Sequence, residues 1–124
     1  MLQANKVPCR TGVVRRRAAI VMEFLVRIQV RWPPESDESL KANLIEREAI
    51  RARELAIRGV IVRLWRSPGQ WANIGIWRAE DATELHEAIS SLPFFPWLDV
   101  HVEPLARHPS DPVGPDHQAL MERS

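Results

Sequence analysis

One glutamate in this chain stands where an ionised carboxylate is expensive. On a helix read over residues 37–58, Leu40, Leu44, Ala52, Leu55, Ile45, Ala49 and Ala56 fall on one broad arc at about 100° per residue. Arg47, Arg53, Glu54, Glu46 and Asn43 fall opposite. Glu48 breaks this division: it lies in the middle of the apolar arc, one turn after Leu44 and one before Ala52. A carboxylate there is paired, neutral or functional. Pairing would use Arg51 or Lys41, and a small rotation of the helix would expose it instead. Burial would raise its pKa from about 4.3 toward neutrality, which suits a base that shuttles a proton at pH 7.

A second unusual position is Asn73, an amide in the middle of a strand among tryptophans. Such a group needs a hydrogen-bond partner, either neighbouring backbone or a substrate oxygen to which it donates. Gly75, two residues on and on the same strand face, removes a side chain, which leaves room for a ligand or marks a bulge. Trp65, Trp71, Trp77 and Trp97 fit a core or an interface, and together they also suit a small apolar pocket.

The elements that must position these residues are legible in the periodicity. Phe24, Val26, Ile28, Val30 and Trp32 alternate with Glu23, Arg27, Gln29 and Arg31, a strand that Pro33-Pro34 ends. Gly59 is the stop of the helix over 37–58. Two strands, about 60–66 and 70–78, surround the turn Ser67-Pro68-Gly69. Residues 81–91 form a second helix, with Asp81 and Glu84 at capping-box spacing and Leu85, Ile89 and Leu92 on its buried stripe. Pro93 and Pro96 bracket a turn before a fourth strand, residues 97–105. The order β-α-β-β-α-β with right-handed crossovers gives an α+β ferredoxin-like plait: a four-stranded antiparallel sheet with two helices on one face. The other face, rich in Val, Ile and Trp, calls for a second subunit, so a homo-oligomer is expected.

Composition excludes several classes. At 124 residues the chain is one domain, and 45% apolar residues are enough for one core. Seventeen basic against 16 acidic residues give a net charge of +1, which argues against nucleic acid as a partner. The single cysteine, Cys9, makes neither a disulfide framework nor a CxxC site, so a cytoplasmic protein is expected. The longest apolar run, Ala18 to Met22, is far below the ~20 residues that span a bilayer, and no secretory signal is present. His86 and His101 read as solvated, the latter alternating outward with Asp99 and Glu103, and His117 lies in the tail. Zinc, nucleotide and serine-hydrolase motifs are missing, so neither a metal nor a cofactor is expected.

The segment LWRSPGQWANIGIW, followed by ELHEAISSLPFFPWLDVHVEPLARHPS, resembles the muconolactone Δ-isomerase family. That family shows LWR…G-x-YAN-x-S-x-F, then LHE…LPLFPYMD and a terminal RHPS. The likeness runs from Met22 to about Ser110. It implies an N-terminal extension (1–21), a ferredoxin-like isomerase domain (22–108) and a Pro-rich tail (109–124), with Met22 as the natural start. It also implies a cofactor-free isomerase of aromatic catabolism, the β-ketoadipate pathway, assembled as a homo-oligomer, usually a decamer. The implied reaction is a 1,3-proton shift turning (S)-muconolactone into the 3-oxoadipate enol-lactone.

On that resemblance Glu48 is the proton shuttle and Asn73 the oxyanion or lactone donor. Arg66 of the LWR motif and Arg27 on the first strand are candidates for the substrate carboxylate, with Trp65, Trp71 and Gly75 lining the substrate. Arg107 and His108 match RHPS, a segment suited to docking a neighbouring subunit. For Glu48 and Asn73 to meet, Trp71, Asn73 and Gly75 must face the helices, and Ala72, Ile74 and Ile76 the subunit interface. The chain departs from the pattern at four places: Trp71 for tyrosine, Gln70 for histidine, Trp77 for phenylalanine and Gly75 for serine. Two lost hydroxyls and a bulkier indole point to a substituted lactone as an alternative substrate. The competing reading is a non-catalytic plait oligomer that binds a small aromatic or lactone ligand.

Overall fold

The computed structural model describes residues 21–113. The expected extension and the end of the expected tail lie outside the described residues. The order of elements is β1 (Met22–Val30), α1 (Glu38–Ile57), β2 (Ile61–Arg66), β3 (Ala72–Ala79), α2 (Ala82–Ser90), a 3-10 turn (Phe95–Trp97) and β4 (Leu98–Leu105). The strands form one antiparallel sheet in the order β2-β3-β1-β4, as the ferredoxin-like reading requires.

Local chemistry sets the boundaries. Asp37 caps α1, its Oδ1 accepting from the Ser39 N–H at 2.8 Å. The hydrogen bond from the Ser39 hydroxyl, and after it those from the Ser39 and Leu40 N–H groups, hold the Asp37 carboxyl below its ordinary pKa. At the other end Gly59 takes φ 83°, and the N–H groups of Gly59 and Val60 return to the carbonyls of Ala56 and Leu55. This is a Schellman stop, which a residue with a Cβ would strain. Gly69, at φ 75°, turns the β2–β3 hairpin. Asp81 caps α2 through the Glu84 N–H, while Glu84 accepts from the Glu80 N–H, one residue before the usual capping-box donor.

The core lies between the sheet and the helices. Phe24, Val26 and Ile28 from β1 and Trp77 and Ala79 from β3 meet Leu55 of α1 and Leu85 and Ile89 of α2. Paired residues share a face, so the register assigns Asn73 (opposite Ile28) and Gly75 (opposite Val26) to the helix side. Ile74 and Ile76, opposite Arg27 and Leu25, lie on the outer side.

Three expectations need correction. β1 stops at Val30, not Trp32: Arg31 still donates to the Trp97 carbonyl in the β1–β4 register, but Pro33 and Pro34 have no N–H with which to carry the ladder further. The apolar arc of α1 is narrower than its sequence suggests. Leu44 and Leu55 are buried, whereas Leu40, Ile45, Ala49 and Ala56 are exposed. A helix lying on one sheet is covered along one line of contact, and here that line runs through Leu44, Glu48, Ala52 and Leu55. Lastly, β2 carries a bulge between Ile61 and Arg63 that reverses the facing of everything after it.

Candidate active site

Glu48 sits half-buried on the contact line of α1. Its Oε1 accepts a hydrogen bond from the Phe94 backbone N–H at 3.0 Å, which ties α1 to the loop before β4. Burial pushes its pKa up, and the Phe94 N–H pulls part of the way back. Neither salt bridge considered for it forms: Arg51 pairs with Glu54 at 2.9 Å and also donates to Ser91, and Lys41 is elsewhere engaged. One carboxylate oxygen is therefore anchored, and among the described residues the other has no cation.

The loop that Glu48 holds is the centre of an aromatic cluster. The Phe94 ring, 2% exposed, meets Trp71 edge-on at 5.4 Å between centroids and Trp32 at 5.8 Å. Trp32 in turn lies 4.9 Å from Trp97. The Lys41 ammonium stands over Trp71, 5.1 Å from the ring centroid. Trp71 thus faces the helices, as the pairing of Glu48 with Asn73 demanded.

Asn73 follows on the same side of β3. Among the described residues its Oδ1 is buried and without a hydrogen-bond partner, as are the indole Nε1 atoms of Trp32 and of the core Trp77. Whichever way the amide is turned, one of its polar atoms is unmatched there. An unmatched buried polar atom costs about 1–3 kcal/mol. A ligand or an ordered water is the partner such an atom calls for.

The remaining sequence-derived residues divide. Arg66 pairs with Asn73 across the β2–β3 ladder and so lies on the helix side, where its guanidinium donates to the Ala72 carbonyl at 3.4 Å. Gly75 also lies there, but it leaves no room for a ligand. A Cβ at 75 would sit 2.7 Å from the Arg63 carbonyl oxygen, 2.9 Å from Leu64 and 3.2 Å from Trp77 Nε1. The glycine admits the bulged β2 backbone, not a substrate.

Arg27 and Trp65 are not brought to Glu48. Arg27 pairs with Ile74 and His101, and Trp65 with Ile74, all on the outer face. There the Arg63 guanidinium covers the Trp65 ring at 4.6 Å. The bulge is the physical reason. Unbroken alternation from buried Ile61 would have turned Trp65 inward, whereas the extra residue turns Trp65 out and Arg66 in. Asp99 and His101, also outer, line an open groove with Arg27, and Asp99 pairs with Arg31 at 3.1 Å. Among the described residues no group of three His, Cys, Asp or Glu side chains could hold a metal ion.

Trp32 and Phe94 were not singled out from the sequence, and Lys41 was named only as a salt-bridge partner for Glu48. The double proline after Trp32 and the LPFFP run around Phe94 were the available signals. Nothing in the periodicity of α1 distinguishes Lys41.

Residues 22–111 match the family model described as muconolactone delta-isomerase. The chain belongs to the muconolactone Δ-isomerase family. A muconolactone Δ-isomerase from Rhodococcus opacus is 38% identical over 88 residues, covering 71% of this chain and 95% of the relative. Muconolactone Δ-isomerase 2 of Acinetobacter lwoffii is 38% identical over 89 residues, covering 72% and 93%. The fold agrees with the crystal structure of a muconolactone isomerase at TM-score 0.69 and 33% identity, with 73% of this chain and 94% of that one covered. The family likeness thus spans every element from β1 to β4. No helix among the described residues is long and apolar enough to cross a membrane.

Proposed function

We propose that this muconolactone Δ-isomerase family member catalyses the 1,3-proton shift of a muconolactone ring, with Glu48 as the single proton carrier. The supporting observation is the state of Glu48: half-buried, raised in pKa, free of any cation among the described residues and anchored through one oxygen. Its unanchored oxygen takes the proton from the γ-carbon of the lactone, and the C–H electron pair moves into the ring as a dienolate. The negative charge collects on the lactone carbonyl oxygen. Asn73 donates to that oxygen through Nδ2, with the amide turned so that Nδ2 takes the buried position and finds its partner there. Glu48 then returns the proton to the α-carbon, and the double bond has moved with no net gain or loss of protons or electrons. A raised carboxyl pKa favours both halves, because the acid must give up at carbon what the base has taken.

Trp71, Trp32, Phe94 and Trp97 supply an apolar wall that excludes water from the dienolate. With Gly75 filled from behind, the replacement of tyrosine by Trp71 is the departure that bears on the substrate, which is muconolactone or a ring-substituted form of it. A homo-oligomer, of decameric size on the family resemblance, would cover the outer face, where Ile74 and Ile76 are half-buried and Trp65 is 47% exposed.

The test is an absorbance assay with (S)-muconolactone comparing wild type with Glu48→Gln. Glutamine still accepts from the Phe94 N–H, so the loop stays in place while the proton carrier is gone. A fall in kcat of about 10²–10⁴-fold is expected. Equal turnover in the variant would remove Glu48 from the mechanism, and no wild-type turnover would remove plain muconolactone as the substrate.

A further inference from the structure

The candidate site contains a carboxylate, an amide and an aromatic wall, but a lactone bearing a carboxylate arm also needs a cation. The sequence pointed to Arg27 or Arg66. Arg27 is on the wrong face of the sheet, and Arg66 is engaged at the hairpin with the Ala72 carbonyl. Arg51, the other cation near the contact line of α1, is committed to Glu54 and Ser91.

We propose that Lys41 is the residue that binds the substrate carboxylate; the proposal rests on the lactone-isomerase reading of the same site. Lys41 precedes Glu48 by two helical turns and lies on the same face of α1, through Leu44. About 10 Å of helix separates the two positions, so a small ring between them can meet the carboxylate at its edge and the ammonium at its arm. Lys41 is half-buried, and its ammonium lies against the Trp71 face instead of in an ion pair; among the described residues it has none. A cation resting on an aromatic face keeps its three N–H donors, and a carboxylate can replace water at them without breaking an existing bridge. Trp71 is then a platform that holds the lysine and one wall of the ring site at once. This gives the exchange of tyrosine for tryptophan a physical role, since indole is the better cation platform.

The probe is a saturated lactone with the same carboxymethyl arm, which binds but cannot isomerise, alongside its methyl ester. Binding to the full chain is followed by tryptophan fluorescence, with turnover of (S)-muconolactone measured in parallel. Lys41→Met should weaken binding of the acid about 10–30-fold, the scale of a charge-assisted hydrogen bond, and that of the ester less than about twofold. Lys41→Arg should bind the acid within about threefold of wild type. The proposal is overturned if Lys41→Met binds the acid as wild type does, if acid and ester weaken together, or if Arg66→Met carries the loss instead. Lysine-dependent binding of the acid without any turnover would remove plain muconolactone as the substrate and leave the carboxylate site standing. Normal turnover with lysine-independent binding would refute the lysine alone.

Discussion

The two faces of the sheet carry similar residue types and treat them differently. On the outer face Arg31–Asp99 and Arg78–Glu23 are solvent-exposed pairs, and Arg63 lies on an exposed Trp65. Each charge there has a partner or water. On the helix face, among the described residues, Glu48 lacks a cation, Asn73 Oδ1 and Trp32 Nε1 lack hydrogen-bond partners, and Lys41 rests on an aromatic ring. Exposed pairs contribute about 0–1 kcal/mol and say little about function. Unmatched groups on a covered face reduce stability, which is why those beside Glu48 mark the candidate site, while Trp77 Nε1, unmatched deep in the core, does not. What separates a site from a surface here is not the presence of charge but the absence of its ordinary partners.

The strongest way to break this contrast is Asn73→Ala. If the amide is the dienolate donor, kcat should drop about 10²–10³-fold, the usual loss for one oxyanion donor. Thermal stability should hold or rise, because the variant deletes an unmatched buried oxygen. Loss of both activity and stability would make Asn73 a structural residue, and the helix face would lose its second member.

A middle-sized effect concerns the bulge that sorts residues between faces. Gly75→Ser places a Cβ against the Arg63 carbonyl, so denaturant unfolding should show a loss of about 1–3 kcal/mol, the range of an overpacked core. Adding Trp77→Phe should return part of that loss by relieving the contact with the indole. No recovery would mean that the strand backbone alone dictates glycine.

The smallest effect is a slope. Burial holds the folded-state pKa of Glu48 above its ordinary carboxyl value, so between the unfolded and folded pKa values the folded chain holds more protons than the unfolded one. Stability from this group is complete below the unfolded pKa and declines as pH rises through the folded one. Glu48→Gln should lack that decline, becoming progressively more stable than wild type as pH increases in a melting series. Parallel pH profiles would show that the carboxylate is hydrated as freely as those on the outer face.

The elements were legible because their signals are local. Gly59 after the α1 pattern, Ser67-Pro68-Gly69 and the alternation of β1 each act within a few residues. The site was legible only in part. Glu48 stood out because a charge among Leu44, Ala52 and Leu55 violates a local pattern, and Asn73 because an amide among tryptophans does. The facing of Trp65 and Arg66 was not legible, since a single extra residue in β2 inverts it and no composition signal marks that residue. Lys41 was hidden for a different reason: on a surface helix a lysine is ordinary, and only the position of Trp71 makes it otherwise. The exposure of Ile45 and Leu40 reflects how little of a helix one sheet can cover, which is a property of the assembly and not of the arc.

The close approach at Gly75 also constrains history. The resemblance sets serine and phenylalanine in other members where this chain has Gly75 and Trp77. The indole nitrogen of Trp77 lies where it would crowd any side chain at 75, and the neighbouring carbonyl is closer still. A lineage passing from one pair to the other would meet a penalty if the large ring arrived first and little resistance if the glycine did. Grafting either residue alone into a relative tests that asymmetry: tryptophan at 77 beside serine should destabilise, and glycine at 75 beside phenylalanine should cost less.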